Sequence, residues 1–147
     1  VDVVIHNEQT ALPLSEEKVV SVALEFKNLY HLPHEEVIIH FVSKETITQL
    51  HDEFFDDNTP TDCISFPIDD SESPGHRILG EIFVCPEVAI EYAQNEGVDP
   101  LDETLLYTIH ALLHLIGYND IEEEEREEMR LEESFVLNHL KQKKLSF

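Results

Sequence analysis

The apolar positions of this chain change period several times, and each change marks an element. Val1 to His6 is rich in β-branched residues and predicts a strand. From Ser15, a good N-cap, the period becomes helical: Val19, Val22, Ala23, Phe26 and Tyr30 recur at intervals of three and four. Val37 to Val42 predicts a second strand, and Ser43 then caps a helix whose face is Ile47, Leu50, His51 and Phe54. A strand–helix–strand–helix opening favours a parallel crossover. Asp56 to Thr61 is a polar loop. Cys63 to Phe66 and Ile78 to Cys85 are short apolar runs joined by a polar, Pro- and Gly-bearing loop, as in an antiparallel hairpin with a long connection. Pro86 suits the first turn of a helix that Gly97 ends. Asp99 and Pro100 open another, with Asp102 and Glu103 near its positive end and Gly117 as its stop. A last helix is expected from about Ile121 to Leu140, with Met129, Leu131, Phe135, Val136 and Leu140 on its apolar side. Its acidic run, Glu122 to Glu125 and Glu127 to Glu128, forms a solvated face. The expected fold is α+β: a mixed four-stranded sheet packed against about five helices, in one domain spanning 1–147.

Composition changes this picture in one respect. A chain of 147 residues with 41% apolar positions is an ordinary globular domain, but 32 acidic residues face only 9 basic ones, for a formal charge of −23. Such a field repels nucleic acids and anionic membranes at long range. A nucleic-acid role therefore has to rest on a local site, a cation or a partner protein. Cys63 and Cys85 are too few for a disulfide framework and are expected to be reduced, small core residues. No apolar run approaches the roughly 20 residues that cross a bilayer, and no basic-then-apolar segment opens the chain. The expectation is a soluble, cytoplasmic protein without a membrane role.

The chemistry concentrates in one place. Leu105 to Ile116 is apolar around nearly its whole circumference and should be a central buried helix. Inside it, His110 and His114 lie four residues apart, so both imidazoles share one face. Buried imidazoles need polar partners, and a shared metal ion satisfies one ring nitrogen of each. Gly117 can reverse the chain, so that Asp120 swings back toward the histidines. The pattern His-x-x-x-His-x-x-Gly-x-x-Asp suits one zinc ion per chain with an open position for water. Two plainer readings stand beside it: core histidines satisfied by hydrogen bonds, and Asp120 as N-cap of the last helix. The ligand spacing is that of metzincin proteases, but their general-base Glu is replaced here by Ala111, which cannot take a proton.

These residues resemble the YbeY family of bacterial rRNA maturation factors, metal-dependent endoribonucleases. The family signature His-Gly-x-Leu-His-Leu-x-Gly-Tyr-Asp-His is matched by His110-Ala111-Leu112-Leu113-His114-Leu115-Ile116-Gly117-Tyr118-Asn119-Asp120. A second motif, Pro-Thr-Asp-Val-Leu-Ser-Phe-Pro, is matched by Pro60-Thr61-Asp62-Cys63-Ile64-Ser65-Phe66-Pro67, and a third, Leu-Gly-Asp-Ile, by Leu79-Gly80-Glu81-Ile82. The similarity runs in order from about Val37 to Leu137. There are two departures. The family's third ligand is His where this chain has Asp120, and the family's Arg shortly before the second motif, implicated in RNA cleavage, falls on Phe55. Carboxylate is a competent zinc ligand, so the first departure alters metal preference. The second removes a phosphate contact.

The resemblance implies cleavage of single-stranded ribosomal RNA, maturation of the small-subunit RNA at its 3′ end, ribosome quality control, and the ribosome or a ribosome-associated protein as partner. It also makes Ser65, Glu81 and Thr61 candidates for the pocket wall, against a plainer role in backbone hydrogen bonding at strand ends. Arg77, before the fourth strand, is a candidate phosphate contact, against a plainer role as a solvated loop residue. A non-catalytic ribosome-assembly factor with a structural metal is the alternative from another class, and a metallohydrolase of another substrate, such as an amide or ester, is the third reading. Lys141, Lys143 and Lys144 form the densest run of positive charge. If they supply RNA affinity, replacing all three by Gln weakens binding and flattens its salt dependence. An unchanged salt slope in a binding titration would place the contact elsewhere.

Overall fold

In the computed structural model, which describes residues 2–68 and 77–147, the alternating and helical periods resolve into four strands and five helices among the described residues. The chain runs β1 (Asp2–Asn7), α1 (Glu16–Leu29), β2 (Glu36–Phe41), α2 (Lys44–Phe55), β3 (Cys63–Pro67), β4 (Ile78–Val84), α3 (Pro86–Glu96), α4 (Pro100–Leu115) and α5 (Glu123–Gln142). The α+β expectation holds, with element ends moved by a residue or two. Val1 and most of the Pro- and Gly-bearing loop between β3 and β4 lie outside the described residues.

Local chemistry explains most of the element ends. Ser15 and Ser43 accept hydrogen bonds from the Lys18 and Thr46 backbone N–H groups, and Asp99 accepts one from Leu101. Pro86 and Pro100 open α3 and α4, and Gly97, at φ 68°, closes α3 in the left-handed region. Cys85, expected at the end of the fourth strand, is instead the N-cap residue of α3. The last helix starts later than expected: its N-cap is Glu122, whose own N–H donates to the Glu125 carboxylate at 2.9 Å. That corrects the alternative role for Asp120, which lies two residues before the cap and outside the helix.

The sheet order is β1-β2-β4-β3. β1, β2 and β4 are parallel, as the crossover pattern predicts, and β3 pairs antiparallel with β4. Val37, Ile39 and Phe41 of β2 and Ile82 and Val84 of β4 turn to one face, where they meet Val19, Val22 and Phe26 of α1 and the buried side of α4. A smaller core of Val42, Ile47, Ile64 and Cys85 lies beneath α2. Alternation along β3 sends Ile64 to α2 while Ser65 hydrogen-bonds the Ala111 carbonyl of α4 at 2.8 Å. α2 and α4 therefore lie on opposite faces of this edge strand.

α4 is the most enclosed helix, packed against α3, α5, β3 and β4. Its buried hydroxyls are satisfied internally, Thr104 donating to the Pro100 carbonyl and Thr108 to the Thr104 carbonyl. α5 is tied to α1 by the Tyr30 hydroxyl, which donates to Glu132, and by His139, 2.7 Å from Glu25. Both helices pack on α4's side of the sheet, so these ties fix which residues of α5 reach α4.

Gly80 sets how closely α4 approaches the sheet. A Cβ there would lie 2.6 Å from Leu115 Cδ2 and 2.7 Å from the Phe66 carbonyl oxygen. The Leu115 methyl could move, but the backbone oxygen could not. Gly80→Ala is expected to destabilise the fold by about 1–3 kcal/mol, the usual cost of overpacking, measured by urea denaturation. A variant as stable as the parent would show that the strand and helix ends are looser than this contact requires.

Candidate metal centre

Ile109, Ala111, Leu112 and Leu113 are inaccessible to solvent or nearly so, whereas His110 and His114 share the one face of α4 that opens outward. Each ring commits its Nδ1 to a neighbour. His114 Nδ1 lies 2.8 Å from the Tyr118 carbonyl oxygen. A carbonyl can only accept, so this nitrogen carries the proton and Nε2 presents a lone pair. His110 Nδ1 lies 2.6 Å from Glu133 Oε2, which orders the neutral ring in the same way. The turn after α4 supplies the rest. Gly117, at φ 106°, reverses the chain so that the Tyr118 carbonyl meets one ring and the Asp120 carboxylate meets both.

The two Nε2 atoms are 3.1 Å apart, and Asp120 Oδ2 is 3.2 Å from one and 3.4 Å from the other. Three electron-rich atoms so placed repel one another unless a cation lies among them. Their separations are also those of a tetrahedral first shell: zinc bonds of about 2.0–2.1 Å subtend edges of roughly 3.4 Å. His110, His114 and Asp120 therefore fit a small divalent metal ion, and they are the group of potential ligands that converges among the described residues. The side chains keep 23%, 26% and 39% of their surface, so the triad is open on one side rather than closed by a fourth protein ligand.

The electrostatics agree. Burial pushes the His110 pKa down, but the hydrogen bond and charge of Glu133, with Asp120 and Asp62 beyond, outweigh it and leave a net rise. The site draws positive charge, as a proton or as a metal. Burial, aided by Asp62, Asp120 and Glu133, pushes the neighbouring Cys63 thiol up, so it stays neutral beside the triad. Both cysteines are free, as expected, although Cys63 borders the cleft instead of lying wholly in the core.

The triad forms the floor of a cleft of about 450 Å³, within the roughly 300–1,000 Å³ typical of small-ligand sites. His51 and Phe55 of α2, Thr61 and Asp62 of the following loop, and Ser65 of β3 line its walls. Two of the three wall candidates, Thr61 and Ser65, are thus brought to the triad, though the Ser65 hydroxyl proton is engaged by Ala111. Glu81 is not among the residues that line the cleft. It neighbours Ile82, the partner of Ser65 across the ladder, so it points to the opposite face, where it meets His40 Nε2 at 2.5 Å. Arg77 is also not among them. It lies immediately before β4, where its carbonyl accepts from the Glu35 and Glu36 N–H groups.

The sequence reading overlooked Glu133, Asp62 and His51. Glu133 had a visible signal: it falls between Met129 and Val136 on the stripe that buries α5, where a carboxylate requires a partner. Asp62 and His51 had none beyond proximity to a motif.

A family model described as endoribonuclease YbeY matches residues 4–141. Among curated relatives, the endoribonuclease YbeY of Protochlamydia amoebophila is 46% identical over 139 residues, covering 95% of this chain and 93% of its own. That of Chlamydia abortus is 37% identical, covering 96% and 92%. The solution structure of TM1509 from Thermotoga maritima superposes with a TM-score of 0.60 at 21% identity, over 97% of this chain and 93% of the other. With sequence agreement along nearly its whole length, the chain belongs to the endoribonuclease YbeY family.

Proposed function

We propose that the chain is a metal-dependent endoribonuclease that cleaves single-stranded ribosomal RNA, matures the 3′ end of the small-subunit RNA and serves ribosome quality control in the cytoplasm. The observation that carries this reading is the convergence of His110 Nε2, His114 Nε2 and Asp120 Oδ2 at tetrahedral spacing in an open cleft. Family membership supports RNA as the substrate class, and the ribosomal setting is what the resemblance of the motifs implies. Among the described residues no helix is long and apolar enough to cross a membrane.

Zinc is the ion this donor set suits. Held by His110, His114 and Asp120, it would supply Lewis acidity, which lowers the pKa of water toward neutrality and draws charge from a phosphoryl oxygen. The protein's own residues prepare the place. Glu133 and the Tyr118 carbonyl hold the two rings so that Nε2 faces the cleft. Ser65 holds α4 against β3. The exposed side of the triad admits a phosphodiester, and unpaired RNA can bend into so small a site where a duplex cannot.

A second reading, a ribosome-assembly factor with a structural metal, is favoured by one observation: no Lys or Arg is among the described residues lining the cleft. Zinc analysis followed by incubation with single-stranded RNA decides between them. Metal without cleavage would sustain the second reading.

Purified protein is expected to hold about one zinc ion per chain, and His110→Ala with His114→Ala should remove it. Full occupancy in the double variant would reject the site. Asp120→Ala should weaken zinc binding, while Asp120→His should retain the metal and move the pH–rate profile to lower pH, because an anion is replaced by a neutral donor. Unchanged zinc affinity in the Ala variant would remove Asp120 from the ligand set.

Glu133→Gln keeps the shape of the carboxylate but loses its charge. Zinc affinity is expected to fall roughly 10–100-fold with the fold intact. Equal affinity in a competitive chelator titration would show that His110 needs no charged partner.

A further inference from the structure

The cleft presents a difficulty for the proposed substrate. Its described walls carry Asp62 and Asp120 but no Lys or Arg, within a chain of net charge −23. A bound metal can hold one phosphate, yet the described walls offer no cationic side chain of Lys or Arg to track a polyanionic backbone. Uncharged contacts to the strand gain weight accordingly.

The rim of the cleft offers such a contact. Phe55 is the last residue of α2, and Asp56 after it takes a left-handed conformation at φ 54°, so the helix end holds Phe55 in place. Its side chain lines the same cleft as His110 and His114, yet Phe55 is 54% exposed. Two rings neighbour it. Phe66 lies 6.4 Å away at 25°, and His51 lies 5.8 Å away at 53°. Those neighbours are themselves fixed, Phe66 by edge contacts with Phe54 and Phe83, and His51 by a 2.8 Å hydrogen bond to the Thr59 carbonyl. Phe54 is as exposed as Phe55, but only Phe55 of the two lines the cleft, and its half-exposed ring there suits a flat, uncharged group attached to a phosphate held at the triad.

We propose that Phe55 is a stacking platform for an unpaired nucleobase of the RNA strand whose phosphate lies at the triad, so that base stacking does the work of cationic capture in this cleft. The inference rests on the endoribonuclease reading for its ligand, and it adds how the strand is held. Stacking on an aromatic ring tolerates any base, because every base has a π-face. It also selects unpaired RNA, since the faces of paired bases are covered by their neighbours in the duplex.

The test is binding of fluorescent oligoadenylate to the zinc-loaded protein, with a matching abasic strand. Phe55→Ala is expected to weaken oligoadenylate binding roughly 5- to 140-fold without changing zinc content, thermal midpoint or the salt slope. Phe55→Trp should bind at least as well as the parent. Phe55→Leu, apolar but not aromatic, should behave as Ala does. The abasic strand should bind the parent weakly and lose little more in the Ala variant. Parent-like binding by both Phe55→Ala and Phe55→Leu would overturn the proposal while leaving the enzyme reading intact. A parent that binds through Phe55 but never cleaves single-stranded RNA would overturn the enzyme reading and keep the platform. A parent that binds no strand at all would overturn both.

Discussion

Two imidazoles on a buried helix can face a ligand only after each has given its other ring nitrogen to a neighbour, and most of this structure follows from that requirement. His114 needs an acceptor just past the end of α4, and the turn at Gly117 provides the Tyr118 carbonyl. His110 needs one from a different element, and α5 provides Glu133. That contact requires α5 to lie at a set rotation and height, which the ties of Tyr30 to Glu132 and of Glu25 to His139 maintain from α1. On the sheet side, Gly80 lets Leu115 come close and Ser65 bonds the Ala111 carbonyl. Four elements are thus arranged so that two Nε2 atoms and a carboxylate oxygen meet.

Charge is the second theme. The triad lies among acids that favour a cation: Glu133, Asp120 and Asp62 raise the His110 pKa against the effect of burial. The same acids oppose an RNA backbone. A metal held by His110, His114 and Asp120 would resolve part of the conflict, because it would both balance the donors and offer a positive centre to phosphate. The rest falls to uncharged surface. Phe55 brings a flat ring to a cleft that has no Lys or Arg among its described lining residues, so short-range contact is available there where long-range attraction is not. The densest run of positive charge, near the end of α5, begins roughly 12 Å along the helix from Glu133, at 1.5 Å per residue. It belongs to a different part of the surface from the triad.

What the sequence determined by itself is what depends on neighbours along the chain. Caps at Ser15, Ser43 and Asp99, helix-opening prolines at 86 and 100, and glycine stops at 97 and 117 act over four residues or fewer, and all appear in the structure where the pattern placed them. The facing of His110 and His114 is a property of one helix, and the return of Asp120 of one turn, so the triad was legible too. The alternative role of Asp120 as an N-cap does not hold, because the last helix is capped by Glu122, a residue type that ordinary N-cap preferences do not single out. Only the tertiary structure decided what depends on pairing between distant segments. Glu81 and Ser65 each looked suited to the pocket, but the β3–β4 register sends them to opposite faces, and a register follows from packing across strands that no local pattern encodes. Glu133 and Phe55 likewise acquire their meaning from how α5 and α2 dock, because a side chain 23 residues from His110 along the chain becomes its partner only when the core between them is packed.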